Sequence, residues 1–338
     1  MKALVYTGPH RLELLDLPQP SPKPGEVLLR VRAVGVCGSD LDGFRGKSKK
    51  RVPPLVLGHE FSGEVAEIGS NVSSFVRGEA IAVYPLIGCA QCRYCATHRQ
   101  HLCPKRRVYG LDFHGAMAEF VAVPESCLFR VPASLSYVEA ALVEPLANAI
   151  HVVRKCPRIT DQSGLVYGVG PIGLMVFLVA RQFGARRLAV LDVNPNRLSA
   201  LQSLGADLVV DASQRDPLPT ILEWTQGIGV DFAIDAVGCS TSRQNCLAAS
   251  ASGGTIVWIG LSELSCELEA RSVVTREVDI RGSYAYSRDD FNEAIALLAT
   301  KTLPVTSALL ETELEHGQTV FEDLESQQTK IMKAVFVS

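Results

Sequence analysis

The sequence predicts an α/β protein of two domains, a β-barrel-like domain and a doubly wound parallel sheet. Its 338 residues, 47% of them hydrophobic, are enough for two cores of ordinary size. Short β-like runs separated by Gly and Pro fill roughly the first 140 residues. From about Val143, apolar strands alternate with helical stretches, which is typical of a parallel sheet with helices on both faces.

The predicted elements follow this division. In the β-rich part, strands are predicted at residues 2–6, 27–36, 61–68, 80–83 and 118–123. In the alternating part, strands are predicted at residues 165–167, 188–192, 208–211, 232–236, 255–259 and 279–283. A helix at 289–299 and a strand at 333–337 do not continue the alternation as strongly, so we expect the end of the chain to return to the first domain.

Composition excludes several classes of function. The net charge is −3 and the cations are scattered, with the short run 47–51 interpreted as a solvated loop, so no nucleic-acid partner is predicted. No apolar run approaches the ~20 residues that span a bilayer, and the N-terminal residues predict a strand rather than a signal peptide, so no membrane partner is predicted. Ten cysteines without a secretion signal favour a reducing compartment, and we expect a cytoplasmic protein that uses thiolates for metal.

Four cysteines form a compact array. Cys89, Cys92, Cys95 and Cys103 are separated by two, two and seven residues, which lets four thiolates converge on one ion. This spacing predicts a structural zinc site that contributes to folding, in preference to chance clustering or disulfides. Because a closed thiolate shell has no open position, the chemistry must lie elsewhere.

A second possible metal site lies upstream. Cys37, His59 and Glu60 combine a thiolate, an imidazole and a carboxylate, the mixture that a catalytic zinc uses when it keeps a position for water or substrate. Taken singly, His59 is more often an ordinary buried histidine, and Cys37 a small core residue.

A glycine-rich turn opens the alternating region. The strand at 165–167 runs into Gly168-x-Gly170-x-x-Gly173, with Pro171 and Ile172 between the last two glycines. Gly168 permits a tight turn, Gly170 lets the backbone approach a pyrophosphate, and Gly173 lets the helix pack on the sheet. The alternative is a simple strand-to-helix turn, but the position of this motif in the chain favours a dinucleotide site.

The next strand ends at Asp192, whose carboxylate can bind an adenine ribose and repels a 2′-phosphate, so NAD is predicted rather than NADP. Arg197 is predicted either to approach a phosphate or to be a helix-surface cation, since Asn194-Pro195 is typical of a helix start. We also predict cofactor contacts at three positions near the carboxyl ends of later strands, namely Val237, Ile259 and Ser283.

These features together resemble the zinc-dependent medium-chain dehydrogenase/reductase family over essentially the whole chain. The signature Gly58-His59-Glu60-x2-Gly63-x5-Gly69-x2-Val72 is present in full, beside the cysteine array. The resemblance implies a GroES-like catalytic domain from residues 1–142 and 284–338, with a structural-zinc lobe at 86–106. It also implies an inserted Rossmann NAD-binding domain at 143–283 and an active site between the two domains.

The resemblance further implies a ligand set for the catalytic zinc. Where the alcohol dehydrogenase branch usually has cysteine, this chain has Glu144-Pro145, which resembles the sorbitol, threonine and sugar-polyol branch. By that analogy Cys37, His59 and Glu144 are ligands, and Glu60 is either a fourth ligand or a carboxylate that exchanges with water. From the residues alone, Glu144 is equally an acid at a helix N-terminus.

Residues after Cys37 take their roles from the same resemblance. Ser39 resembles the hydroxyl that takes the alcohol proton, and Asp40 the carboxylate that orients His59. An ordinary turn or helix cap is the alternative for both. Asp42 stands where the family often has a histidine proton relay.

The predicted activity is hydride transfer to NAD from a secondary alcohol of a polyol, a sugar alcohol, phosphorylated or not, a cyclitol or a sugar acid. Phe44 and Tyr84 are expected in the substrate pocket. The alternatives are a simple alcohol or L-threonine dehydrogenase of the same family, and a non-catalytic relative that binds cofactor. A homodimer or homotetramer is expected.

Overall fold

The computed structural model describes residues 1–214, 216–307, 309–326 and 331–338. Tertiary contacts divide these residues into two compact units. Unit 1 contains Met1–Ala147 and Ser287–Ser338, and unit 2 contains Asn148–Tyr286. The predicted α/β class is confirmed, because largely antiparallel sheets formed by the two chain ends accompany a parallel sheet formed by the middle of the chain.

The first part of unit 1 is rich in short strands. They are β1 (Lys2–Gly8), β2 (Arg11–Asp16), β3 (Glu26–Gly35), β4 (Leu55–Val56), β5 (Glu60–Ile68), β6 (Ala80–Val83), β7 (Leu86–Ile87), β8 (Arg107–Val108), β9 (Phe120–Pro124) and β10 (Leu128–Arg130). The helices are α1 (Gly38–Phe44), α2 (Arg93–Ala96), α3 (Tyr137–Ala141) and α4 (Val143–Val153), with 3-10 turns at Gln100–Leu102 and Glu125–Cys127.

Strand β3 is the centre of unit 1. It pairs antiparallel with β5 along most of its length and with β9 near its start. Its valines and leucines are buried, and the valines and Leu29 pack with Phe61, Met117 and Phe336 in one apolar cluster. The end of β3 leads directly to Cys37, and β5 begins at Glu60, so this pairing places two predicted ligand segments side by side.

Unit 2 is built on parallel strands with helices between them. The strands are β11 (Ser163–Tyr167), β12 (Arg187–Asp192), β13 (Leu208–Asp211), β14 (Val230–Asp235), β15 (Ser250–Trp258) and β16 (Asp279–Gly282). The helices are α5 (Pro171–Gln182), α6 (Pro195–Ser203), α7 (Leu218–Trp224), α8 (Ser240–Ala249) and α9 (Ala270–Thr275).

The order of these strands locates a ligand site. In the described residues the sheet runs β13-β12-β11-β14-β15-β16, and each pair is parallel. The chain moves outward from β11 in one direction and then resumes at β14 in the other, so the topological switch point lies between β11 and β14. Ligands of open α/β sheets bind at the carboxyl ends of the strands beside this point.

The end of the chain returns to unit 1. It forms α10 (Arg288–Ala299), β17 (Leu309–Thr312), a 3-10 turn at Leu314–His316, α11 (Gly317–Ser326) and β18 (Lys333–Val337). Strand β18 pairs antiparallel with the end of β3 and parallel with β17. The first residue of β18 is therefore brought beside the segment that follows β3.

The contact units differ slightly from the predicted domain boundaries. Residues 143–147 belong to unit 1 and residues 284–286 to unit 2, whereas the predicted divisions fall at 142/143 and 283/284. At the first boundary, α4 follows α3 after the single turn residue Leu142, and the first turn of α4 is buried. Within the described ranges, no helix is both long and apolar enough to cross a membrane.

Candidate metal centres and dinucleotide site

The cysteine array forms a compact group of sulfur atoms. Cys89, Cys92, Cys95 and Cys103 each offer a Sγ atom, and these atoms all lie within 4.8 Å of one another. Helix α2 begins just after Cys92 and places Cys95 one turn later, and a 3-10 turn brings Cys103 back to the group. All four cysteines are free of disulfide bonds.

The charges of this group suit a cation. Hydrogen bonds from the backbone N–H of Gln91 and from Cys103 lower the pKa of the Cys89 thiol to about 6. Burial and the neighbouring sulfurs raise the pKa of the Cys95 thiol to about 11, because further thiolates at this distance repel one another. Zn²⁺ relieves that repulsion by binding all four thiolates, so these residues fit the predicted structural zinc.

The second group comprises Cys37, His59 and Glu60. Their ligand atoms lie within 4.8 Å of one another, and His59 and Glu60 are buried. Cys37 precedes the first residue of α1, and His59 and Glu60 lie where the chain enters β5. A thiolate, an imidazole and a carboxylate collected in a buried place form a donor set that fits a catalytic zinc.

Asp40 supports this group from behind. Its carboxylate is fully buried, accepts a hydrogen bond from the Cys37 backbone N–H at 3.1 Å, and lies 3.5 Å from His59 Nδ1. Burial alone raises the pKa of Asp40, but the positive charges of His59 and Arg51 outweigh it and hold the pKa at about 2. Asp40 therefore lies where the resemblance implies, beside His59.

Arg51 corrects the interpretation of residues 47–51 as a solvated loop. Its side chain is 6% exposed, and Nη2 donates to Asp40 Oδ1 at 3.2 Å and to Ser39 Oγ at 3.0 Å. The loop is held because a buried carboxylate needs a buried cation. The charge pattern alone does not predict this pairing, because the other cations of the run are exposed.

Glu60 has a cationic partner that the sequence analysis also missed. Lys333 is buried at the start of β18, where its Nζ forms an ion pair with Glu60 Oε2 and donates to the Val36 carbonyl at 3.1 Å. This pair joins residues at opposite ends of the chain. No local motif could have predicted it.

Glu144 lies in the first turn of α4 and is 7% exposed. Among the described residues, the group whose ligand atoms are mutually within 4.8 Å contains Cys37, His59 and Glu60 but not Glu144. Glu144 is nevertheless near: burial lowers the pKa of Lys333, and the charges of Glu60, Cys37 and Glu144 together raise it above its ordinary value. Its role as a zinc ligand stays a prediction.

Two pocket predictions are wrong. Phe44 is fully buried against Phe321, with ring centroids 5.3 Å apart, and Tyr84 is fully buried against Phe129 and Phe291. Both aromatic rings belong to the packed interior of unit 1. Asp42 is exposed and forms an ion pair with Arg45.

In unit 2, the glycine-rich turn has the geometry that its motif predicts. Gly168 has φ +89°, a conformation that favours glycine, and a Cβ on Gly173 would overlap the Gly168 carbonyl. A Cβ on Gly170 would approach nothing closer than Arg197 Nη1, at 3.8 Å, so this side of the turn is open to a ligand. Helix α5 begins at Pro171, and Ile172 follows in its first turn.

Asp192 ends β12 beside this turn. Its Oδ2 accepts from the Val169 N–H at 2.8 Å, and its Oδ1 accepts from the N–H groups of Val193 and Asn194. Arg197 Nη1 lies 3.7 Å from Asp192 Oδ2. Arg197 therefore lies next to Asp192, and its contact with a cofactor phosphate stays a prediction. Asn194 caps α6, as the sequence indicated.

The three later positions follow the ends of neighbouring strands. The Val237 N–H donates to Asp235 Oδ1, the Ile259 N–H donates to the Asp235 carbonyl, and the Ser283 N–H donates to the Trp258 carbonyl. Ser283 Oγ is buried with no hydrogen-bond partner in the part of the chain that the structure describes. These positions lie at the carboxyl ends of β14, β15 and β16, where a ligand of such a sheet binds.

Two family models and several known proteins match this chain. Residues 23–133 match the family model "Alcohol dehydrogenase GroES-like domain", and residues 171–300 match "Zinc-binding dehydrogenase". The chain is 34% identical to a sorbitol dehydrogenase of Bacillus subtilis over 305 residues, covering 89% of this chain and 86% of that protein. It is also 34% identical to an L-threonine 3-dehydrogenase of Rhizobium etli over 288 residues, covering 84% and 83%.

A solved structure extends the likeness to the whole fold. A short chain alcohol dehydrogenase, rspB, of E. coli CFT073, complexed with the cofactor NADH, superposes with a TM-score of 0.93 at 26% identity. The match covers 100% of this chain and 99% of that one.

Proposed function

Because the chain belongs to the zinc-dependent medium-chain dehydrogenases, enzymes that use zinc and NAD(H), we propose that it oxidises a secondary alcohol of a polyhydroxylated substrate and transfers the hydride to NAD. The observation that carries the proposal is the group of the half-buried Cys37 with the buried His59 and Glu60. The substrate class includes polyols, sugar alcohols with or without phosphate, cyclitols and sugar acids.

We assign the catalytic zinc to Cys37 and His59, with Glu144 as the further ligand and Glu60 as a fourth or exchanging one. When bound, zinc supplies a Lewis acid that polarises the alcohol oxygen and lowers the alcohol pKa. Asp40 faces His59 Nδ1 at 3.5 Å, which leaves Nε2 as the nitrogen that can bind a metal. Lys333 balances the negative charge of Glu60, so the carboxylate of Glu144 can be tolerated near Cys37 and Glu60.

Ser39 is the proposed acceptor of the alcohol proton. Because Arg51 Nη2 donates to Ser39 Oγ, the serine keeps its own hydrogen to pass to another partner as it receives the new one. The Asp42 carboxylate is exposed and paired with Arg45. We therefore do not assign to Asp42 the transfer of this proton from Ser39 to solvent.

Asp192 supports NAD as the cofactor rather than NADP. Its buried carboxylate is anchored by three backbone N–H groups and favours a free ribose diol over a phosphate. Gly168, Gly170 and Gly173 are assigned to the pyrophosphate, with the N-terminus of α5 facing it. NAD supplies the hydride acceptor, and the chain supplies its orientation.

The likeness to a sorbitol dehydrogenase and Glu144-Pro145 support the polyol class. A specific observation also favours a second candidate, L-threonine, because the Rhizobium etli relative is equally identical to this chain. Both substrates carry a secondary alcohol beside a polar group. They differ in the kind of polar group that the pocket must bind.

The test is an NAD-reduction screen with the zinc-loaded protein. The panel contains sorbitol-like polyols, sugar-alcohol phosphates, aldonic acids, amino-cyclitols, L-threonine and simple alcohols. Cys37→Ala is the inactive control, and Cys127→Ala, which removes a buried thiol outside both metal groups, is the matched active control. We expect turnover with a polyhydroxylated substrate. Turnover with L-threonine alone would replace the polyol assignment, and no NAD-dependent turnover would contradict the proposal.

The cytoplasmic location and the homodimer or homotetramer stay predictions. The ten cysteines, all free of disulfides, support a reducing compartment. Light scattering of the purified protein would give the oligomeric state.

A further inference from the structure

Arg243 is a buried cation in an unfavourable position. It is the fourth residue of α8, and its side chain is 10% exposed. The first turn of a helix repels positive charge, and a buried charge needs a partner. The partner is the fully buried Asp235 at the end of β14, whose Oδ2 lies 3.5 Å from Arg243 Nε.

Asp235 joins two turns at the carboxyl edge of the sheet. Its Oδ1 accepts from the N–H groups of Val237 at 3.0 Å and Gly238 at 2.8 Å, in the turn after β14. Its backbone carbonyl accepts from the N–H groups of Ile259 at 3.0 Å and Gly260 at 2.9 Å, in the turn after β15. One residue therefore fixes the backbone of both turns.

Arg243, on helix α8, contacts the second of these two turns. Its Nη2 donates to the Gly260 carbonyl at 3.4 Å, and its guanidinium carbon lies 4.8 Å from the Trp258 ring centroid. The two turns also touch directly, because a Cβ on Gly238 or on Gly260 would overlap the backbone of the other. The backbones of the two turns are therefore in close contact.

These turns lie on one side of the switch point. The turn after β14 contacts the glycine-rich turn, since the Ala236 N–H donates to the Tyr167 carbonyl at 2.8 Å. Gly170 and Asp192 lie on the other side, where β11 and β12 end. Arg243 contacts Asp235 and Gly260, whereas the N–H groups bound to Asp192 belong to Val169, Val193 and Asn194. We therefore expect a change at Arg243 to affect Val237 and Ile259 more than the hydrogen bonds of Asp192.

A dinucleotide spans the switch point, so with its adenine ribose at Asp192 its nicotinamide half lies on the side of Val237 and Ile259. We propose that Arg243 is a positioning residue for this nicotinamide half of NAD. It acts through Asp235 and Gly260 and holds Val237 and Ile259, two predicted cofactor contacts, in one fixed arrangement. The inference rests on NAD use and on the cofactor contacts of the proposed function, and it is independent of the substrate class.

The test compares two ligands of the zinc-loaded full chain. NADH contains both halves of the cofactor, whereas ADP-ribose lacks the nicotinamide. In Arg243→Met we expect the Kd for NADH to rise about tenfold, within the usual range for residues in one hydrogen-bonded network, while the Kd for ADP-ribose stays within about threefold. Fluorescence titration measures the first and calorimetry the second. Arg243→Lys, which keeps the charge but not the planar fork, should recover part of the NADH affinity.

Arg187→Met is the matched control. Arg187 lies 4.1 Å from the Trp224 ring centroid and donates to the Trp224 carbonyl at 3.1 Å, so it shares the aromatic and carbonyl contacts of Arg243. It begins β12, so it lies at the amino ends of the strands. We expect it to leave the ratio of the two affinities unchanged. If Arg243→Met fails to fold, Arg243→Lys and Arg187→Lys make the same comparison. The proposal is overturned if the Arg243 variant weakens both ligands equally, or neither, or if the Arg187 variant changes the ratio as much.

Discussion

Asp40 is a fully buried carboxylate whose loss we expect to destabilise unit 1 strongly. Asp40→Asn leaves Arg51, 6% exposed, without its anionic partner, and removes the charge that faces His59. Breaking a buried ion pair by removing one partner costs about 3–5 kcal/mol. For a domain of this size, each kcal/mol lowers the melting temperature by roughly 2–4 °C, so the expected decrease is about 6–20 °C.

The matched control is Asp42→Asn on the same helix. Asp42 is 56% exposed and pairs with Arg45 at the surface, so its loss should cost at most about 1 kcal/mol. The melting temperatures are measured with zinc in excess and at one scan rate. In the double variant Asp40→Asn, Arg51→Met, the decrease should be smaller than the sum of the two single decreases, because the Arg51 charge is no longer left buried without Asp40. Equal effects of Asp40→Asn and Asp42→Asn, or strict additivity of the double variant, would refute the reasoning.

Three further predictions concern the cofactor, the ligand set and the substrate. Asp192→Ala should narrow the preference for NAD over NADP, measured as the ratio of kcat/KM values, because the carboxylate that repels a 2′-phosphate is gone; a wild-type preference for NADP would mean that Arg197 controls the site. Glu144→Cys should still bind zinc by metal analysis but lose activity on the best polyol, because a thiolate donates more charge to the metal; unchanged kinetics on every substrate would place Glu144 outside the coordination sphere. The kcat/KM for the best polyhydroxylated substrate should exceed that for ethanol or butanol by at least roughly tenfold, since ethanol leaves buried polar groups unpaired, and a reversal would favour the simple alcohol dehydrogenase branch.

Short-range patterns predicted much of the fold. The strands at 80–83, 208–211 and 333–337 match the structure to the residue, and most others differ by a few residues at their ends. The compact cysteine array and the glycine-rich turn could also be predicted, because each lies within one short segment whose residue spacing sets its geometry. Two-residue strands such as β4 were missed, since so short a run carries no periodic signal.

Long-range partners could not be predicted. Lys333 reaches Glu60 and Val36 only because β18 pairs with β3, which are about three hundred residues apart in sequence. In the sequence, nothing distinguishes Arg51 from the other cations of its basic run. Only tertiary packing brings its side chain into an ion pair with Asp40. Phe44 and Tyr84 were assigned to the pocket by chemical type, and their burial depends on neighbours from the end of the chain. These errors share one cause, which is that burial is decided by the fold.

Metal content per chain, measured together with activity, tests the central claim most directly. The account predicts about two zinc ions per chain for the wild type, one held by the four thiolates and one by the group that contains Cys37. Cys37→Ala should lose about one zinc and nearly all NAD-dependent activity while remaining folded, whereas Cys95→Ala should lose about one zinc together with thermal stability or solubility. A Cys37→Ala protein that keeps both its zinc and its activity would contradict the account.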